Sequence, residues 1–405
     1  MTYTGSCHLG DLFSNRRERG RSGLPTLSVT LNDGLVNRDD LDRKQDTNLA
    51  PEEHLLVKPG DIAYNMMRMW QGAFGLADRE GLVSPAYVVL RPKKGIDPLY
   101  ASYLFNTRRM VYLFWAYSYG ITNDRLRLYF ADFERVPVTV PTIPEQQKIA
   151  AILATWDRAI STARSLLTAE SAIFDLLLKS LTSGVKRLPG FNGPWRDVTL
   201  DEIGSTYSGL TGKSKEHFGQ GKPYIPYKNI FANSRVDVEQ LDYVLIGQEE
   251  VQNTCRAGDI FFTSSSETPD ELGTASVLLD DVGELYLNSF CIGYRLHNFL
   301  DLLPEFARFM LRGPTFRRSL DQVAQGYTRF NLSRRALLKL RLSLPSLAEQ
   351  QAVANVLSTA ELRLRKLQKK IDYLEIERLA LSRRLISHPS TSASCSPQST
   401  RRQRP

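Results

Sequence analysis

Two aspartates carry the most tempting chemistry in this 405-residue chain, Asp61 in "VKPGDIAYN" and Asp259 in "CRAGDIFFT". Each follows a glycine and opens an apolar run, where a carboxylate could act as an acid, a base or a ligand. Neither stretch supplies a partner group, and the commoner role of such a residue is a turn aspartate bonding the backbone beside it. "GLTGKS" (Gly209 to Ser214) resembles the end of a phosphate-binding loop, but that pattern wants glycine where Tyr207 stands. The hydroxyl run "TSSSET" (Thr263 to Thr268) has no histidine placed to activate a nucleophile. No GxGxxG follows a strand, and neither the Pro-Pro-aromatic tetrapeptide of amino-methyltransferases nor a nuclease-like carboxylate cluster with a following lysine occurs. Cys7, Cys255, Cys291 and Cys395 lack CxxC spacing, and the five histidines form no metal-binding pair, so reduced thiols and no metal are expected. The chain is therefore expected to be non-catalytic by itself, with no cofactor of its own.

Binding chemistry is better represented. Lys and Arg number 52 against 44 Asp and Glu, and the net charge of +8 is spread along the chain, which favours a polyanionic partner. The 42% hydrophobic and 24% charged content is that of a globular protein, long enough for two or three domains. No apolar run approaches the ~20 residues of a membrane span. "VYLFWAYSYG" (Val111 to Gly120) is the greasiest candidate, and its length fits a buried element. The start "MTYTGSCHLG" lacks the basic and apolar regions of a signal peptide, so a cytoplasmic location is expected.

The elements that must carry this chemistry occur twice. Pro25 in "GLPTLSVT" faces Pro223 in "GKPYIPYK", and Asp61 faces Asp259, both at a shift of 198. "LGDLF" at Leu9 resembles "LDEIG" at Leu200, and "YGITNDRLRL" at Tyr119 faces "QGYTRFNLSR" at Gln325. "PTIPEQQKIA" at Pro141 returns as "PSLAEQQAVA" at Pro345, with Glu145 and Glu349 shifted by 204. An ordered set of matches at nearly constant shift marks a long internal repeat. The fold class expected is α+β. Two globular domains of mixed strands and helices span 1–142 and 184–346, and long helices span 143–183 and 347–386. Residues 387–405 form a Ser/Pro/Arg-rich tail expected to be disordered.

Stepping by four and three from Ile149 meets Leu153, Trp156, Ile160, Ala163, Leu167, Glu170, Phe174, Leu177 and Leu181. From Val353 the same step meets Leu357, Ala360, Leu364, Leu367, Ile371, Leu374, Arg378, Leu381 and Leu385. One polar member in each series, over about five heptads, describes a coiled-coil seam. The two helices are expected to pair antiparallel and to hold the globular domains apart, with Trp156 near Arg378.

Two divergent halves, each ending in P-[TS]-[IL]-[PA]-E-Q-Q and a long helix, resemble the specificity subunit of type I restriction–modification enzymes. No single motif is very specific, but the doubled arrangement is, and it covers the chain from about Leu9 to Leu385. The resemblance implies that each globular half is a target recognition domain reading one part of a bipartite double-stranded DNA sequence. It implies that the helices space the heads and dock two modification (methyltransferase) subunits, and that ATP-dependent restriction subunits join them. S-adenosylmethionine, ATP and Mg²⁺ would belong to those partners. The competing readings are a coiled-coil adaptor without nucleic acid and an enzyme with an unrecognised site.

Phosphate contacts want Arg or Lys on loops, and base contacts want Arg or polar side chains facing a groove. The candidates in the first half are Arg16, Arg17, Arg19, Asn65, Arg68, Asn123 and Arg125. In the second they are Lys213, Lys215, Tyr227, Lys228, Asn229, Ser264, Ser265, Thr328, Arg329 and Asn331. One departure stands out: the second half begins "GPWRDVTLDEIG", whereas the first reaches "LGDLF" almost directly from Met1. If that clip removes a strand, the first domain is expected to be unstable or inactive as a reader.

Overall fold

The computed structural model describes residues 6–41, 49–122, 125–268, 271–321 and 330–387. The chain forms two compact units. One holds the chain up to Ala163 together with the chain from Lys370, and the other is Arg164–Lys369. The division falls within the long helices, so each helix gives one half of itself to each unit.

The same antiparallel four-stranded sheet lies at the centre of each unit. In the first its order is Phe13–Arg16, Tyr87–Pro92, Ile62–Asn65, Phe74–Leu76; in the second it is Gly204–Ser208, Cys291–Leu296, Ile260–Thr263, Ala275–Val277. The inner strands read as apolar runs because both of their faces are covered: Ile62, Ala63 and Tyr64 are all buried, as are Ile260, Phe261 and Phe262. In the first unit Phe13, Phe105, Phe114 and Phe133 close the core with tilted, edge-on and stacked ring contacts 5.3–6.1 Å apart.

The front-edge strand is present in both units. Ser6–His8 pairs with Pro137–Thr139 in the first, as Arg196–Thr199 pairs with Arg341–Leu344 in the second. The strand that opens the second domain thus has its counterpart in the first. "VYLFWAYSYG" departs from expectation in another way. Thr107 caps a helix, Arg108–Ala116, that buries Met110 and Phe114 but leaves Tyr112 and Trp115 largely in solvent. Its aromatic residues lie on two faces, and only one of them meets the core.

Long helices form at Ile143–Thr182 and Leu347–Ser387. The Glu-Gln-Gln repeat has a structural reason. Gln146 is wholly buried; its amide donates to the carbonyls of Pro141 and Gly95 and its oxygen accepts from the Asp97 N–H at 2.8 Å. Gln350 repeats this on Pro345, Asp301 and the Leu303 N–H. The same side chain thus staples each long helix to the segment before the helices at Pro98–Phe105 and Pro304–Met310.

None of the seam positions named above is exposed. In the first unit Arg378 meets Asp157, and Leu381, Leu385 and Ile386 join the core that holds Ile149, Ala150 and Leu153. In the second, Arg363 meets Glu170, while Val353 and Leu357 share a core with Phe174, Leu177 and Leu181. Within each unit, then, one helix runs back as the other runs forward, an antiparallel pair. Both polar interruptions of the seam are ion-paired, which explains how it tolerates them. Arg378 donates to Asp157 at 2.9 Å and lies 5.5 Å from the centre of the Tyr103 ring. The pair sets Arg378 against the residue next to Trp156, and the aromatic ring it lies over is that of Tyr103.

The Gly/Pro-rich stretch from Ser183 to Trp195 is tied down. Arg187 pairs with buried Glu349 at the start of the second long helix and lies over the Trp195 ring.

Candidate nucleic-acid interface

In the first unit the Ile62–Asn65 strand ends in a turn that its own last residue shapes. The Asn65 carboxamide oxygen accepts the Met67 N–H at 3.0 Å, and the Asn65 carbonyl accepts the Arg68 N–H. The Arg68 carbonyl in turn accepts from Gln71 and Ala73, with Gly72 at φ 88°, a conformation that favours glycine. A second loop arrives from the far end of the domain. Tyr119 and Arg127 exchange backbone bonds of 3.2 and 3.0 Å, and the Leu128 N–H donates to the Met66 carbonyl at 2.9 Å. The two loops enclose a hollow of about 650 Å³ whose walls include Met67, Arg68, Tyr119, Ile121, Arg125 and Arg127.

The second unit uses the same joint. Leu332 donates to the Ser264 carbonyl, again at 2.9 Å, and these residues stand where Leu128 and Met66 stand in the repeat. The Ser264 hydroxyl donates to the Phe290 carbonyl, and the Tyr227 hydroxyl donates to the Ser265 carbonyl at 3.1 Å. The hollow here is about 340 Å³ and is lined by Tyr227, Ser265, Ser266, Glu267, Glu271 and Phe290.

Of the sequence candidates, Arg68 and Arg125 converge on the first hollow, and Tyr227 and Ser265 on the second. Ser264 holds the second joint, and exposed Asn331 pairs with Ser265 across a short bridge of strands. Arg17 and Arg19 follow the Phe13–Arg16 strand and Lys215 and Lys228 lie on short helices, and all four are exposed. Asn123, Thr328 and Arg329 lie outside the described residues.

Four candidates are occupied elsewhere. Arg16 grips Asp61 through two bonds of 2.7 and 3.2 Å and also reaches Glu18, leaving its side chain mostly buried. The Lys213 ammonium, 5% exposed, is spent on Glu250 and the Leu245 carbonyl. Asn229 is buried, and its carboxamide bonds the Asp237 N–H and the carbonyls of Asp237 and Gln240. Asn65 is half-buried and shapes its turn. Basic or polar type alone does not separate a groove-facing side chain from one that folds the loop.

Arg127, Tyr119, Ile121, Glu267 and Phe290 escaped the sequence reading. For Arg127 a signal existed. In "RLRLYF" the alternate residues Leu126 and Leu128 are buried, which puts Arg125 and Arg127 on the other face together.

Asp61 and Asp259 are turn aspartates. Each accepts a backbone N–H three residues earlier, from Lys58 at 2.9 Å and Arg256 at 2.8 Å. Each is also clamped by side chains, Arg16 in the first unit and Arg295 with the Tyr207 hydroxyl in the second. Burial pushes the Cys255 thiol up to about 12 and raises Cys7 and Cys291 as well, so none of them offers a thiolate nucleophile. Among the described residues no group of three or more His, Cys, Asp or Glu side chains could hold a metal, and no helix is long and apolar enough to cross a membrane.

The type I restriction modification DNA specificity domain matches this chain twice, over residues 15–168 and 192–376. The specificity subunit of the type I restriction enzyme MjaVIII of Methanocaldococcus jannaschii is 22% identical over 327 residues, 76% of this chain and 74% of that protein. The fold resembles the crystal structure of the type I restriction–modification S subunit from M. genitalium, with a TM-score of 0.58, 17% identity and 96% of both chains covered. A chain solved in a study of type I system assembly and conformational transition gives a TM-score of 0.57 at 15% identity, covering 94% of this chain and 97% of its own. With two matched domains over most of its length, the chain belongs to the family of type I restriction–modification DNA specificity subunits.

Proposed function

We propose that each unit reads one part of a bipartite DNA target at its loop joint, and that the paired helices fix the gap between the two parts. The observation that carries this is the doubled joint. The Leu128–Met66 and Leu332–Ser264 bonds are the same length at matched positions, yet the side chains they place around each hollow differ in chemistry. A shared frame with exchanged contacts is what two readers of different short sequences need.

The chain then supplies the address for methylation and restriction and no chemistry of its own. Two modification subunits would bring S-adenosylmethionine, and restriction subunits would bring ATP and Mg²⁺. The long helices offer apolar side chains outside the seam for such docking: Ile173 and Leu176 on the first, Tyr373 and Ile376 on the second, each more than half exposed. At ~1.5 Å per residue, helices of 40 and 41 residues are rods of about 60 Å, a fixed ruler.

The test uses the chain co-purified with its modification subunit and a library of duplexes. Salt-sensitive binding to a split sequence supports the reading, and no sequence preference at any salt overturns it. Inserting four residues at Ala169 is expected to change the preferred gap and leave both half-sites intact; altered half-sites would defeat the spacer role.

A further inference from the structure

The two hollows differ in charge as well as in size. Three arginines, Arg68, Arg125 and Arg127, line the first, and among the described residues no carboxylate does. Asp132, which follows this loop, accepts the Tyr119 hydroxyl at 2.9 Å. The second hollow carries Glu267 and Glu271 instead and, among the described residues, no arginine.

We infer that the first unit specifies guanine, reading at least one G·C pair in the major groove through the guanidinium of Arg68 or Arg127. This deepens the reading of the loop joint as a DNA reader and rests on it. A guanidinium presents paired donors in a rigid fork, and only guanine offers two adjacent acceptors, N7 and O6, on its major-groove edge. Adenine places an amino group beside its N7, and that donor would face the arginine donors. Thymine offers a single acceptor and cytosine an amino group, so neither satisfies the fork.

Arginines that serve only phosphates need no fixed backbone, whereas these two are pinned. The Arg68 carbonyl accepts two N–H groups, and Arg127 exchanges both of its backbone bonds with Tyr119. Arg127 also reaches the Tyr129 hydroxyl at 3.5 Å, which leans its side chain along the wall of the hollow. Pinned backbones lower the ordering cost of a directional contact. The carboxylates of the second hollow would repel guanine acceptors and suit the amino groups of adenine or cytosine. The asymmetry between the units is thus one of base class.

The experiment uses the unaltered chain with its modification subunit and the duplex motif found by mapping methylated sites. Replacing guanines singly by 7-deazaguanine removes the N7 acceptor, while inosine keeps both N7 and O6 and loses only the minor-groove amino group. At one position of one half-site, 7-deazaguanine is expected to weaken binding about tenfold and inosine to leave it unchanged. Arg68→Ala and Arg127→Ala variants should relax the preference at that same half-site only, with binding to scrambled duplexes retained as the measure of folding. Indifference to 7-deazaguanine throughout, or equal weakening on matched and scrambled duplexes, would assign these arginines to phosphates and overturn the inference. Loss of all sequence preference by the unaltered chain would instead refute the DNA-reading role itself.

Discussion

The two units solve one structural problem with exchanged parts. In both, a buried aspartate after a glycine turn must be neutralised at the start of an inner strand of the central sheet. Strand register places Arg16 opposite Val89 and Tyr207 opposite Gly293, equivalent sites on equivalent strands. The first unit puts the cation there. The second puts a tyrosine there and brings Arg295 from the neighbouring strand, where the first has Arg91. The seam shows the same exchange: Arg378 occupies, on the second helix, the repeat position that Phe174 holds on the first. Phe174 packs 6.4 Å from Phe309, while Arg378 answers Asp157 over Tyr103. Backbone geometry and apolar burial are held fixed, and charge is free to move between neighbouring positions so long as its partner moves with it.

Substitutions at matched positions can break that account. The largest effect is expected at the aspartates. Asp61→Ala leaves Arg16, only 13% exposed, without its main partner and should cost about 3 kcal/mol. Asp259→Ala leaves Arg295 one-third exposed, with the Thr254 carbonyl still within reach, and should cost about 2 kcal/mol. Hydrogen exchange within each unit reads both losses; equal losses would mean that the arginine–tyrosine exchange carries no energetic consequence.

Next come the staples. Gln146→Ala and Gln350→Ala each abandon three bonds in a dry site, so about 2 kcal/mol is expected from either, confined to its own unit. Loss of protection in both units from one substitution would show that the staples act across the whole chain.

The smallest effect is expected at the seam. The Arg378–Asp157 pair is partly solvated, with side chains 28% and 41% exposed, so Arg378→Leu should lower the unfolding free energy read from urea denaturation by no more than about 0.5 kcal/mol. Arg378→Phe, which copies the other copy's residue, should be close to neutral. A loss above 2 kcal/mol would make this pair a determinant of helix register.

Much of this architecture is legible in the sequence. Hydrophobic spacing located both long helices and their seam, because a 3.5-residue stripe has meaning only if another helix covers it. The repeat located equivalent loops, because two copies of one frame must place their turns alike. The sequence also supported the plain reading of Asp61 and Asp259, since turn aspartates bond locally. What could not be read was which loop residues face outward. Arg16 and Arg68 are both loop-end arginines of the first unit, and only packing spends one on Asp61 and leaves the other at the hollow. Lys213 and Asn229 were drawn inward by Glu250 and by the turn at Asp237, partners 37 and 8 residues away. Local pattern determines which backbone a segment adopts. The fate of a polar side chain depends on which distant group arrives beside it, and that is decided only when the chain has closed on itself.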